Sequence, residues 1–275
     1  MRKRLLRGRN QRAAVVVLLV ALIGATVWLV ASRTRDDQSA GTPPGCHVSL
    51  DSTTYTLNIE QAAHATTIAA VGKRMGMPDH AVTVAITAAL QESRLHNLDH
   101  GDRDSLGLFQ QRPSQGWGTA GQVMTPHYAA GAFYRRLGRI NGWEGMPVTT
   151  AAQSVQRSGA PAAYAQWEQE ARAIAQATTG EIPAGMTCRV DGSPVANAPG
   201  ELRASIAREL GTPALDAPLP DAPGWTAATW LVGHSTQFGI DSVAYAGQVW
   251  TPSSGRWVAS GGPPDTHVRI SQARV

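Results

Sequence analysis

No Gly-x-Ser-x-Gly and no His-Glu-x-x-His occurs in the chain, which removes the nucleophile elbow of serine hydrolases and the helical zinc-protease motif. No segment repeats at a period of roughly 20–50 residues, so solenoids and propellers are excluded. Cysteine is nearly absent. Cys46 and Cys188 are the only two among 275 residues, and they are better spent on one disulfide than on Cys-His catalysis. Aromatics are scarce, at 6%. Basic charge is scarce outside one short stretch: Arg2, Lys3, Arg4, Arg7, Arg9 and Arg12 supply six positives, and subtracting them from the net +4 leaves −2 for residues 13–275. The high isoelectric point therefore belongs to a tail, and a nucleic-acid-binding surface on the folded part is excluded.

Long apolar runs are also missing, with one exception. From Ala13 to Ala31 nineteen residues carry no charge, enough to cross most of a hydrocarbon core about 30 Å thick as a helix. Six basic residues before it set the N-terminus in the cytoplasm and everything from Ser32 onward outside. The run exceeds a usual signal-peptide core, and Leu29-Val30-Ala31 is a poor cleavage site, so an uncleaved single-pass anchor in the cell membrane is expected. One span builds no transport path. In the oxidising compartment beyond it, Cys46 and Cys188 are expected to form a disulfide that brackets the best-patterned helical block.

The chain then divides into a basic tail (1–12), the transmembrane helix (13–31), a polar linker (32–45), a mainly α domain (46–190), a Pro-rich linker (191–224) and a small α+β module (225–275). Apolar periodicity and capping signals predict helices over Ile59–Met75, Asp79–Arg94, Pro126–Arg139, Thr149–Ser158 and Pro161–Thr178. Seven prolines between Pro183 and Gly224, interrupted by an amphipathic stretch at Glu201–Leu210, mark the linker. Beyond it, Trp225–Phe238 reads as a helix, followed by β-like runs at Ser242–Tyr245, Gln248–Thr251, Arg256–Ala259 and Thr266–Ile270.

The helix from Asp79 holds the most informative residue. Its polar residues Thr83, Thr87, Gln91 and Arg94 form one stripe expected to face water or a groove. Glu92 lies off that stripe and continues the line Ala81, Ala85, Ala88, whose small side chains admit a close neighbour. Desolvation and the C-terminal end of the helix dipole should both favour its protonated form, which suits a general acid.

Glu92-Ser93 closes this helix, and Gly107-Leu108-Phe109-Gln110 begins fifteen residues after the glutamate. The pairing resembles the lysozyme-like superfamily, in particular the soluble lytic transglycosylase domain, with its helix-ending Glu-Ser and a Gly-Leu-Met-Gln segment at the same offset. The resemblance covers about residues 59–178. It implies cleavage of the β-1,4 bond between N-acetylmuramic acid and N-acetylglucosamine in peptidoglycan strands, with no cofactor and no metal. Glu92 would protonate the glycosidic oxygen and then, as a base, help close a 1,6-anhydro ring. Gly107 would allow a close backbone approach to the glutamate or sugar, Gln110 or Gln111 would offer an amide to the sugar, and Ser93 would orient substrate or the carboxyl. Phe109, in the same quartet, would be a further substrate-binding residue.

The family's Ala-Tyr-Asn-Ala-Gly segment, whose tyrosine bonds the acid, is not found after Thr150, where the chain reads Ala-Ala-Gln153-Ser-Val-Gln156. Gln153 or Gln156 is expected to take over. The loop from His96 to Ser105 is unusually acidic, and Asp99, Asp102 or Asp104 would orient water if the enzyme were instead a hydrolytic muramidase. His96 and His100 read as loop residues, not a metal pair. Trp117, between two glycines, either stacks on a sugar or plugs its loop. Tyr128, Phe133, Tyr134 and Trp167 read as core. Trp225, Trp230, Trp250 and Trp257 are expected to build the core of the small module, which is similar to tail modules of actinobacterial secreted wall proteins. The rival outside the enzymes is a non-catalytic wall-binding scaffold with the same fold.

Overall fold

Three short strands, none foreseen from periodicity, open and close the helical part. The computed structural model describes residues 44–157, 161–191, 199–211, 215 and 217–272. The basic tail, the apolar run 13–31 and most of the spacer lie outside the described residues. Among those described, no helix is long and apolar enough to cross a membrane. Strands β1 (Gly45–Leu50), β2 (Thr53–Leu57) and β3 (Met186–Arg189) form an antiparallel sheet in the order β2-β1-β3. Its register sets Cys46 directly opposite Cys188, and the two form the disulfide. The bridge closes a separation of 142 residues, so in the chain-entropy account it stabilises the fold by at most about 5 kcal/mol.

Helices α1 (Ile59–Arg74) and α2 (Asp79–Ser93) follow. Asn58 and Gln61 form a reciprocal capping box that starts α1. A single turn α3 (Ala120–Val123), then α4 (Pro126–Leu137), α5 (Val148–Gln156), a 3-10 segment (Pro161–Trp167) and α6 (Glu168–Thr178) complete the helical part. Helix α2 is its hub, touching α1, α4, α5, α6 and the 3-10 segment. Ala81, Ala85 and Ala88 are fully buried there. So are Thr83 and Thr87, which corrects the expected polar stripe: packed among its neighbours, the helix leaves no watery face from Ala81 to Leu90. Thr83 satisfies its hydroxyl on the carbonyl of Asp79, 3.2 Å away.

Helix α7 (Pro199–Glu209) lies within the Pro-rich stretch, and α8 (Asp221–Gly233) leads through a single turn, α9 (Ser235–Phe238), into a second antiparallel sheet. Its strands β4 (Ile240–Tyr245), β5 (Gln248–Trp250), β6 (Trp257–Ala259) and β7 (Arg269–Gln272) run in the order β6-β5-β4-β7. The architecture is thus α plus two small sheets. The tryptophans join the second sheet to the first: Trp250 Nε1 donates to the Cys188 carbonyl at 3.0 Å and Trp257 Nε1 to that of Met186 at 3.1 Å. Trp225 meets Trp257 edge-on, and α8 packs along α1. Trp225, Trp230 and Trp250 are buried, as core residues should be.

Candidate active site

Helix α2 ends because Arg94 and Leu95 both adopt left-handed backbone, at φ 56° and 62°. Two successive non-glycine residues there are strained, and they persist only where surroundings over-determine them. The surroundings do so. Gln61 Nε2 donates to the Arg94 carbonyl at 2.8 Å, His64 Nδ1 donates to that of Leu95 at 2.7 Å, and the Leu95 side chain is fully buried. Glu92 sits half-buried two residues before this reversal.

Tyr164 meets it. The phenol is fully buried and donates to Glu92 Oε1 at 2.6 Å. The 3-10 segment that carries Tyr164 is pinned to the end of α2 by Trp167, whose Nε1 donates to Gln91 Oε1 at 2.8 Å and whose ring lies 3.9 Å beneath the Arg94 guanidinium. Gln91 and Arg94, the exposed end of the expected stripe, therefore hold the partner of Glu92 in place. Gln156 does not bond the carboxyl, which corrects one of the two expected substitutes: its Nε2 donates to the Phe109 carbonyl at 2.8 Å. Gln153 lies on α5. The signal for Tyr164 in the sequence is the Ala163-Tyr164 dipeptide at the start of the last expected helix of the block, downstream of Gln156.

A cleft of about 840 Å³ opens over Glu92. Of the expected residues, Gln110, Trp117 and Gln156 line it with Glu92. Gln110 takes left-handed backbone, φ 46°, and its amide donates to the carbonyls of His100 and Gly107 at 3.2 and 3.3 Å. One face of the Trp117 ring is occupied by Arg136, 3.7 Å from its centroid.

The other expected residues build the wall from behind. Ser93 donates to the carbonyls of Ala89 and Leu108, tying the helix end to the Gly107–Gln110 turn rather than to the carboxyl. Phe109 is fully buried and stacks on Phe133 at 4.9 Å. Gln111 is buried and donates to the Ala129 carbonyl at 3.0 Å. Gly107, at φ 77°, is required by the Val123 carbonyl, against which any Cβ would collide, and not by approach to the glutamate. These four do not line the cleft.

Charge in the cleft is uneven. Asp102 is the one carboxylate besides Glu92 on its lining, against Arg103, Arg112, Arg136, Arg139 and Arg157. Asp104 is engaged elsewhere: it accepts from the Ser114 backbone at 2.8 Å, from Arg112 Nε at 2.8 Å and from the Ser114 hydroxyl at 3.0 Å, which together hold its carboxyl well below the usual range. Asp99 pairs with His100 on the open surface, and His96 with Glu60, so the two histidines face different carboxylates. No group of three or more His, Cys, Asp or Glu poised to hold a metal ion occurs among the described residues. Comparison with protein-family models and with curated proteins finds no match for this chain.

Proposed function

We propose that the chain is a peptidoglycan lytic transglycosylase with a lysozyme-like catalytic domain, acting on the β-1,4 bond between N-acetylmuramic acid and N-acetylglucosamine through Glu92 alone. The observation that carries the proposal is the Tyr164–Glu92 hydrogen bond at the mouth of a sugar-sized cleft. A buried phenol spent on one carboxylate oxygen fixes the group's orientation and leaves Oε2 to carry the proton. In the first step that proton passes to the glycosidic oxygen and the bond to the anomeric carbon breaks, with the muramyl N-acetyl oxygen sharing the developing positive charge. In the second step the Glu92 carboxylate takes the proton of the O6 hydroxyl as O6 bonds to the anomeric carbon. Glu92 ends protonated, and no water is consumed. Gln110 and Gln156 supply amides on the cleft lining for the acetamido groups.

On this reading residues 13–31 anchor the chain in the membrane and the catalytic part acts outside the cytoplasm. The Cys46–Cys188 disulfide supports an oxidising compartment. Asp102 supports a second reading, hydrolysis, because it shares the cleft with Glu92. Digestion of purified peptidoglycan in 18O-labelled water, followed by mass spectrometry, separates the possibilities. Transglycosylation yields 1,6-anhydro ends free of heavy oxygen. Reducing ends carrying 18O would establish a muramidase. Binding without any released fragment would leave a wall-binding scaffold.

A further inference from the structure

The cleft carries more cationic groups than its carboxylates compensate. Arg136 and Arg139 project from α4 and its continuation, and Arg157 caps the end of α5; all three line the cleft. Trp117, Arg136 and Arg139 also border a second hollow of about 170 Å³, which adds Arg135 and Tyr128. A basic groove therefore runs past the indole. Nearby arginines are treated differently: Arg112 is neutralised by Asp104 at 2.8 Å and Arg103 faces Asp102 at 3.9 Å. Among the described residues no carboxylate pairs with Arg136, Arg139 or Arg157.

Burial and the like charges of Arg157 and Arg139 all act against the charged form of Arg136. Its guanidinium carbon is held over the Trp117 ring, 3.7 Å from the centroid, with a 3.4 Å bond to the Gln115 carbonyl, so the group is positioned before any ligand arrives. Three converging guanidinium groups in a concave site, one of them pre-oriented, match an anion with several oxygen acceptors.

We infer that Arg136, Arg139 and Arg157 form an anion subsite of the cleft, and that its ligand is the carboxylates of the peptide borne by the glycan being cleaved. The inference rests on the glycan-cleaving reading for its substrate class. The glycan backbone itself offers few charges, whereas a peptide on the sugar beside the scissile bond brings carboxylates at a fixed distance from Glu92. Phosphodiesters of wall-attached polymers share the same chemistry but have no fixed position relative to that bond.

The test measures sedimentation of the full chain carrying Glu92→Gln with three preparations of sacculi: intact, amidated on its carboxylates with carbodiimide and methylamine, and acid-stripped of phosphodiester-linked polymers. Cleavage by the parent chain is followed in parallel. Amidation is expected to weaken binding about tenfold, the value of one charge-assisted contact, while acid stripping leaves binding intact. Adding Arg139→Gln and Arg157→Gln, both exposed positions, should weaken binding to intact sacculi and abolish the response to amidation; matched melting temperatures certify the fold. Arg136 is kept because it stacks on Trp117. Loss of binding on stripping rather than amidation overturns the inference, as does a triple variant that still responds to amidation. Cleavage that persists with no carboxylate dependence removes the subsite and spares the activity. Carboxylate-dependent binding without cleavage keeps the subsite and removes the activity.

Discussion

Tyr164 and Glu92 stand 72 residues apart in the chain and 2.6 Å apart in space. The pair shows what a side chain's identity does and does not reveal. Replacing Tyr164 with Phe keeps the buried ring and deletes only the donor, so the carboxyl loses its fixed orientation. Cleavage should fall about 10- to 100-fold, equivalent to the roughly 1.5–3 kcal/mol of a hydrogen bond to a charged group. The loss should appear in kcat with KM little changed; an unchanged kcat would show that Tyr164 only fills space. Glu92 was legible because a carboxylate at the end of an alanine line is chemically out of place. Tyr164 was not, because a tyrosine near a helix start looks like any core aromatic until the 3-10 segment turns it inward. Ser93, Phe109 and Gln111 were assigned to the substrate site through the resemblance, yet each bonds or packs backward: to the Leu108 carbonyl, to Phe133 and to the Ala129 carbonyl. Type gives a side chain's chemistry, and only the local backbone gives its direction.

At the scale of elements, the helices over Ile59–Arg74, Asp79–Ser93, Pro126–Leu137 and Val148–Gln156 were visible within a residue or two, since their buried faces repeat over successive turns. The helix expected over Pro161–Thr178, by contrast, is 3-10 as far as Trp167, and the one expected over Trp225–Phe238 starts at Asp221 and breaks after Gly233. The strands of the first sheet were not visible. Each is four to six residues long, and Gly-Cys-His-Val-Ser-Leu alternates too briefly to separate it from a loop. Thr83 misled because a threonine that back-bonds to its own helix is small enough for a core, and Thr87 is buried beside it with its hydroxyl unpartnered. The seam between α1 and α8 holds a further buried polar group. Glu209 accepts from Thr67 at 2.7 Å and from Trp230 Nε1 at 2.8 Å, and His234 lies against Thr66 and Thr67. Burial holds the His234 and His64 imidazoles below their ordinary range, with Glu209 acting in the opposite sense on both, Glu60 on His64, and His96 reinforcing the depression of His64. The unfolded chain takes up protons at these sites as pH falls through about 6.5, while the folded chain resists them. Stability is therefore complete above that pH and declines below it. Urea unfolding at pH 7.5 and 5.5 should show a loss on the order of 1 kcal/mol or more at the lower pH, reduced in His234→Gln. A variant that loses as much as the parent would contradict this account of the seam.

Across the whole molecule, the sequence suggested a catalytic domain, a proline-marked linker and a separate module. The tryptophans of the last part instead donate their indole hydrogens to carbonyls of β3, and α8 covers α1, so the described residues beyond Pro44 form one compact unit. Partners at that sequence distance leave no periodic trace. Composition could only count the tryptophans, not show what they cover. The cleft is likewise a property of the assembled chain. Its carboxyl group, Glu92, comes from α2, the phenol bonded to it from the 3-10 segment, its amides from the Gly107 turn and α5, and its arginines from the loop that holds Arg103 and Arg112, from α4 and the residues just after it, and from the end of α5. The measurement that bears most directly on this account is the initial rate of fragment release from purified peptidoglycan by the full chain and by Glu92→Gln with an unchanged melting temperature. Loss of the proton donor should slow release by at least about 100-fold, within the 10²–10⁴ range of general acid catalysis. Release within a few fold of the parent would mean that the bond is broken by some other group.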